Sequence, residues 1–258
     1  SGGVLYSGNP GAVESLATGA VTFTGGEFQA QIGAGTGTTA GTSNDVINVT
    51  GTVALGAGVS TLDLTTLGTA ATGQNYVYTL IANDGTDLTT GTFSGIADGA
   101  AVTVGGVNYR LFYNGGTGND VVLVENSQPT VVFVDDSWAA FTGGTVISDA
   151  DLGTTGSETA VFGVNAFSSI TAALAAVANT TGIVIINAGT YAETVSLAGT
   201  RTLEITGPDT PQAVVIEDLE TVAGTFIPIE GTSSLTVGDG DSRTIAGTIG
   251  GSGSFTKT

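Results

Sequence analysis

Apolar and polar residues alternate with a period of two along most of this chain, the spacing of strands with one buried face. In "AVTFTGGEFQAQI" the pattern marks Val21/Phe23 and Phe28/Ala30/Ile32. In "NDVINVTGTVAL" it marks Ile47/Val49 and Val53/Leu55, and in "STLDLTTL" Leu62/Leu64. "YVYTLI" follows, then "AVTVGGVNYRLFY" with Val102/Val104 and Val107/Tyr109/Leu111/Tyr113. Clusters of Gly, Asn, Asp and Thr separate these runs, as turns separate short strands. One stretch, "FSSITAALAAVANTTG", has helical spacing instead. Ser168 or Ser169 can cap it, Ile170, Leu174 and Val177 share one face, and Asn179 and Gly182 can end it.

Beyond that helix the strand-like pieces become regular. Ile183–Ile186 and Leu203–Ile205 lie about twenty residues apart, as do Val195/Leu197 and Val214/Ile216, a period in the range of solenoids. Two interleaved series with one offset predict stacked coils of a parallel β-helix. Inward Val, Ile and Leu form a column, and outward Thr, Ser and Glu meet water. The polar run Asn126-Ser127-Gln128-Pro129 predicts a boundary near residue 128, with a hinge over 126–131. The expected parts are 1–128, the last coils and closing strands of one β-helix, and 129–258, the cap and first coils of a second.

Composition narrows the partners. The 258 residues carry 23 acidic and 4 basic side chains, a formal net charge of -19. Phosphate recognition relies on Lys and Arg, so nucleic acid and anionic membranes are poor partners. Hydrophobic residues are 41% of the chain, enough for a core, which separates it from acidic disordered tails. No apolar run reaches the length of a membrane helix. Cys, His and Met are absent, which removes disulfides and thiolate metal sites and leads us to expect a processed product or an internal piece; at Ser1 no signal-peptide region remains. The acidic, Thr/Ser/Asn-rich surface suits an extracellular setting.

Several longer motifs resemble known families. The order "NDVINVTGTVALGAGVSTLDL", "YVYTLIANDGTDLTTGTFSG" and "GGTGNDVVLVEN" is similar to bacterial surface proteins with autotransporter-associated β-strand repeats, over roughly residues 20–126. "FGVNAFSSITAALAAV" with "GIVIINAGTYAETVSLAGTRTLEITG" resembles the start of a pectate-lyase-like right-handed β-helix: capping helix, strand, A-G-T-Y-x-E, coils. "GTIGGSGSFTKT" looks like the opening of another such repeat, and "SGGVLYSGN" like its continuation. The chain lacks a translocator barrel, so the resemblance implies no secretion route.

Candidate chemistry is sparse. Gly115 to Leu123 fits the G-G-x-G-x-D-x-U-x pattern of calcium β-rolls, with Asp120 as ligand, and equally a glycine turn between two strands. β-Roll ions are shared between tandem nonapeptides; one copy is present, and Asn44-Asp45 lacks the glycines, so the turn is the stronger reading and calcium the weaker one. Lyases on the resembled fold need Arg or Lys as base, and its hydrolases need paired carboxylates. The candidates are Arg201, Arg243, Asp209, Glu217, Asp218 and Glu220, with Arg201 read as a solvated turn residue and "EDLE" as a solvated loop. Asp135 and Asp136 beside Trp138 suit a carbohydrate or calcium contact, or else face water while Val132, Val134 and Trp138 cover the first coil. No catalytic, cofactor or metal residue is assigned.

The expectation is therefore an all-β chain of right-handed parallel β-helix segments in series with one short capping α-helix. Its expected role is non-catalytic and structural or adhesive, in a fibre, stalk, sheath or surface layer at a bacterial cell surface, with copies stacked head to tail. The alternative is a glycan-binding or polysaccharide-cleaving β-helix, with surface glycans as partners. A groove of clustered Asp, Arg and aromatics on one strand face would favour that alternative.

Overall fold

The computed structural model describes residues 2–35, 39–73, 76–178, 181–238 and 243–258. Ser1 and Asn179, both used in the sequence reading, lie outside the described residues. The chain is all-β, built mainly from parallel sheets. It divides into two compact units, residues 1–127 with 142–146, and residues 128–141 with 147–258.

The first unit contains β1 (Val4–Tyr6), β2 (Ser15–Thr18), β3 (Val21–Thr22), β4 (Gly26–Gly35), β5 (Val46–Val49), β6 (Val53–Ala54), β7 (Ser60–Ala70), β8 (Val77–Asn83), β9 (Ala100–Val104), β10 (Val107–Gly115) and β11 (Asp120–Glu125). β2, β3 and β4 pair in parallel with β5, β6 and β7 in the same order. β5 pairs in parallel with β8, and β1 with β4. The last three strands reverse this habit: β11 is antiparallel to both β8 and β10, and β10 to β9. Inward residues are those of the period-two pattern. Phe28 and Ile32 are fully buried, as are Ile47, Tyr109 and Leu111. Phe23, Phe28 and Phe93 form an aromatic cluster with centroids 5.9 to 6.2 Å apart. Removing a side chain such as Phe28 from water contributes roughly 1.5–3 kcal/mol.

The second unit begins with β12 (Val131–Val134) and a 3₁₀ turn at Asp136–Ala140. The strands that follow are β13 (Val146–Ile147), whose first residue belongs to the first unit, then β14 (Ala160–Val161), β15 (Ala166–Phe167), β16 (Ile183–Ile186), β17 (Gly189–Leu197), β18 (Thr202–Glu204), β19 (Ala213–Thr221), β20 (Phe226–Pro228), β21 (Ser234–Val237), β22 (Thr248–Gly250) and β23 (Ser254–Lys257). One sheet runs β15-β12-β16-β18-β20-β22 and another β17-β19-β21-β23, with parallel pairing in both. Their inward side chains form one cluster that includes Val184, Leu203, Ile227, Val214 and Leu235.

Helix α1 spans Ile170–Ala176. Its face of Ile170, Leu174 and Val177 is buried in the same cluster, against Val132 and Val134. Ser169 is the N-cap, its hydroxyl accepting from Ala172 N at 3.1 Å. The helix ends at Val177, earlier than Gly182, because Val177 has extended dihedrals.

The register in the second sheet differs from the twenty-residue spacing. Val184 pairs with Leu203 as that spacing implies. Val195, however, pairs with Leu219, and Val214 pairs with Gly189. The coil is longer here than twenty residues on both sides of the irregularity between Tyr191 and Thr194, since Gly189 pairs with Val214 and Val195 with Leu219, so the expected pairing of Val195 with Val214 does not form.

Candidate functional site

The glycine turn at 115–120 closes the antiparallel β10–β11 hairpin, with Gly115 opposite Asp120. Gly116 has φ +60°, and a Cβ there would sit 2.3 Å from Asp120 Oδ2, so both conformation and space require glycine. Asp120 is buried. Its Oδ1 accepts from Asn83 N at 2.8 Å, and its Oδ2 from Thr117 N at 3.0 Å and Thr117 Oγ1 at 2.9 Å. Asn119 Nδ2 donates toward the carbonyls of Asp84, Gly85 and Asp87 at 3.0, 3.4 and 3.3 Å. Carbonyl oxygens that converge in this way could hold a cation; here an amide nitrogen occupies their centre. Asn44-Asp45 repeats the device. Asn44 Nδ2 donates to Thr79 O, while Asp45 accepts from Glu14 N and Gln31 N. Each Asn-Asp pair ties backbone groups of neighbouring segments together.

The A-G-T-Y-x-E stretch has an equally definite local role. Tyr191 is buried, and its hydroxyl donates to Asn187 O at 2.9 Å, with Val134 O at 3.3 Å. Burial raises its pKa, and the charges of Asp135 and Asp136 raise it further. The Glu193 carboxylate accepts from Ile170 N at 2.6 Å and Thr171 N at 2.9 Å, which satisfies two free N–H groups at the start of α1. At the other end, Arg201 donates to Leu174 O at 2.5 Å and to Ala198 O at 3.1 Å. Arg201 is thus a helix clamp, rather than the solvated turn residue the sequence suggested.

Asp135 and Asp136, expected to contact carbohydrate or calcium or else to face water, both accept hydrogen bonds from backbone N–H groups. Asp135 is buried, accepts from Ser137 N at 2.9 Å and caps the 3₁₀ turn. Asn187 Nδ2 reaches its other oxygen at 3.3 Å. Asp136 accepts from Thr190 N at 2.8 Å. Trp138 is buried with Phe133, Ile147, Ala150, Ala160 and Ala166.

"EDLE" lies within β19, not in a loop. Asp218 is buried and paired with Arg243 at 2.6 Å; Glu220 lies 3.7 Å from the same guanidinium, and Glu217 is exposed. Asp209 is exposed and accepts from Thr155 N and Oγ1 at 2.7 and 2.8 Å, bonds that lower its pKa. These candidates therefore do not converge on one cleft. Among the described residues no three Asp, Glu, His or Cys side chains gather closely enough to hold a metal ion.

Two surfaces escaped the sequence reading. One is a groove of about 640 Å³ lined by Asp151, Thr202, Glu204, Phe226, Pro228 and Glu230. Thr202 and Phe226 are register partners on β18 and β20. Their inward neighbours Leu203 and Ile227 are buried, so Thr202, Glu204 and Phe226 are the outward positions of the alternation. An outward phenylalanine on a parallel strand was the available signal. The other surface lies in the first unit, where Gly3, Leu5, Val21, Phe23 and Glu27 line a smaller cavity of about 260 Å³ beside β1.

No family model matches the chain, and neither a curated protein nor a solved structure matches it.

Proposed function

We infer that this chain is a non-catalytic structural or adhesive protein of an extracellular fibre, stalk, sheath or surface layer. In this reading its parallel sheets are the faces of right-handed β-solenoid segments, akin to autotransporter passengers and pectate-lyase-like helices, and the segments continue end to end. Parallel strands that recur in the same order, β2-β3-β4 on β5-β6-β7, support the coil reading.

The observation that carries the functional reading is a column of inward apolar positions that continues from strand to strand. Val214, Leu235 and Phe255 are successive register partners in β19, β21 and β23. Their exposures are 1%, 1% and 41%. Phe255 points along the core direction, and among the described residues β23 is the edge strand of its sheet. An edge strand is a template for one more parallel strand. In the first unit Leu5 is the inward residue of β1, pairing with Phe28, and it lines the cavity that also holds Val21 and Phe23. A strand of a neighbouring segment, in the same polypeptide or another copy, would seat Phe255 beside Leu5. Such a contact is heterologous and propagates rather than closing into a dimer.

A non-catalytic role is supported by the work already assigned to the bases. Arg201 clamps α1, Arg243 pairs with Asp218, and Arg110 donates to Asn126 Oδ1 at 2.9 Å. Negative-stain electron microscopy of the concentrated chain tests the reading. Filaments or end-to-end strings are expected; uniformly single particles at all concentrations would contradict it.

A further inference from the structure

β5 lies between two parallel partners, β2 on one side and β8 on the other. Val46, Ile47 and Val49 are buried, and Asn48 is the one exposed residue of the strand. Asparagine is depleted in strands, because its short polar side chain competes for the backbone's hydrogen bonds. Elsewhere in this chain a bond explains such a residue. Asn83, Asn119 and Asn187 donate to backbone carbonyls, while Asn114 and Asn165 accept from backbone N–H groups. Asn48 makes no such bond among the described residues. Packing and hydrogen bonding therefore leave its identity unexplained, and a residue that breaks a local rule without a structural gain points to function.

The residues around Asn48 supply the function. Asn48-Val49-Thr50 is an N-x-T tripeptide without proline, the acceptor sequence for a sugar on the asparagine amide. In a Thr-rich chain the tripeptide alone carries little weight. The other match, Asn179-Thr180-Thr181, begins outside the described residues. Asn48 adds three structural features to the motif: exposure, an amide free of protein partners, and room. Its register partners on both sides are alanines, Ala17 on β2 and Ala82 on β8. Each flanks the amide with a single methyl group, so a sugar ring on Asn48 projects outward without displacing a larger neighbour.

We propose that Asn48 is an N-glycosylation site. The substrate is a sugar activated as its diphosphate ester, delivered by a transferase that reads N-x-T. Asn48 Nδ2 forms a bond to the anomeric carbon, and the bond from that carbon to the diphosphate oxygen breaks. The diphosphate leaves with the bonding electrons, and the amide gives one proton to a base of the transferase. Thr50 N and Oγ1 donate to Thr18 O at 3.0 and 3.1 Å, so in the sheet the acceptor segment is held on β2. Transfer therefore precedes the pairing of β5, and the folded sheet then displays the sugar. The proposal is independent of end-to-end stacking.

Peptide mass spectrometry tests it on the whole chain isolated from the cells that make it, after cleavage at aspartates. The peptide beginning at Asp45 is expected to be heavier by whole sugar residues, with fragmentation placing them on Asn48. Produced in the same cells, Asn48→Gln and Thr50→Ala should lose the added mass, and Thr50→Ser should keep it. Because transfer precedes folding, this readout does not require the variants to fold. An unmodified Asn48 in the parent would overturn the proposal. So would added mass that survives Thr50→Ala, or that fragmentation places on a threonine instead.

Discussion

Leu235 and Phe255 are register partners on adjacent parallel strands, yet Leu235 is 1% exposed and Phe255 41%. The two side chains share a direction; Leu235 has β23 beside it, and β23 is the edge strand of its sheet among the described residues. An exposed inward phenylalanine loses contacts and water-excluding partners that the residue beneath it enjoys. Replacing it with Asp should leave the melting temperature within a degree or two, because little is packed on it. The same change should abolish concentration-dependent association, read by sedimentation velocity. Unaltered association in Phe255→Asp would show that this edge is not the contact.

The Asp120 turn is braced by protein donors. Asp120→Ala leaves Asn83 N–H and Thr117 N–H without their carboxylate partner in a buried setting. Hydrogen bonds to a charged group contribute about 1.5–3 kcal/mol each, so a loss of about 3 kcal/mol in urea unfolding of the first unit is expected. Chelator should shift the parent's melting temperature little. A large chelator-induced fall, absent in Asp120→Ala, would restore the calcium reading of this turn.

Much of this turn was legible in the sequence, because glycines at positive φ and an Asn-Asp pair after them have few other uses. The helix was equally legible, since Ser169, Ile170, Leu174 and Val177 combine a cap with one apolar face. The register of β17 on β19 was not. Apolar spacing matched Val195 to Val214, but the longer coil pairs Val195 with Leu219 and Val214 with Gly189. The use of Arg201 was hidden for a related reason: its acceptor, Leu174 O, is 27 residues away and is a backbone atom that sequence does not distinguish. The groove depends on Asp151 and Glu230 meeting β18 and β20, a juxtaposition made by loops without a recognisable motif.

Arg243 holds Asp218, whose side chain is 10% exposed against 35% for the arginine. Arg243→Gln should destabilise the second unit by about 1–3 kcal/mol, less than a fully buried pair because solvent screens the guanidinium. Asp218→Asn added to that variant should recover part of the loss, since it removes the unpaired charge. Equal stability of parent and Arg243→Gln in urea melts would remove the structural role assigned to the pair.

Alkaline pH should weaken the first unit. Burial raises the Tyr109 and Tyr113 hydroxyls from 10.0 to about 12. The folded state therefore holds these protons where the unfolded chain releases them. Stability is complete below pH 10 and falls as pH rises from about 10 to about 12. Absorbance of tyrosinate at high pH, followed alongside the melting temperature, should show late-titrating tyrosines and a falling melt over that window. Tyrosines that all titrate near 10 without loss of structure would contradict this.

The central claim, that the edge of β23 seats beside β1 of a neighbouring segment, is tested most directly by cross-linking. The chain has no cysteine, so an introduced pair reports a single contact. Val4→Cys with Ser254→Cys places thiols on outward positions that become register partners if Phe255 seats beside Leu5. Adjacent parallel strands lie within the Cα separation a disulfide spans. The account predicts a ladder of disulfide-linked oligomers on a non-reducing gel after mild oxidation, absent in either single-cysteine variant and lost with Phe255→Asp. Monomers alone, with both thiols open to alkylation, would contradict it.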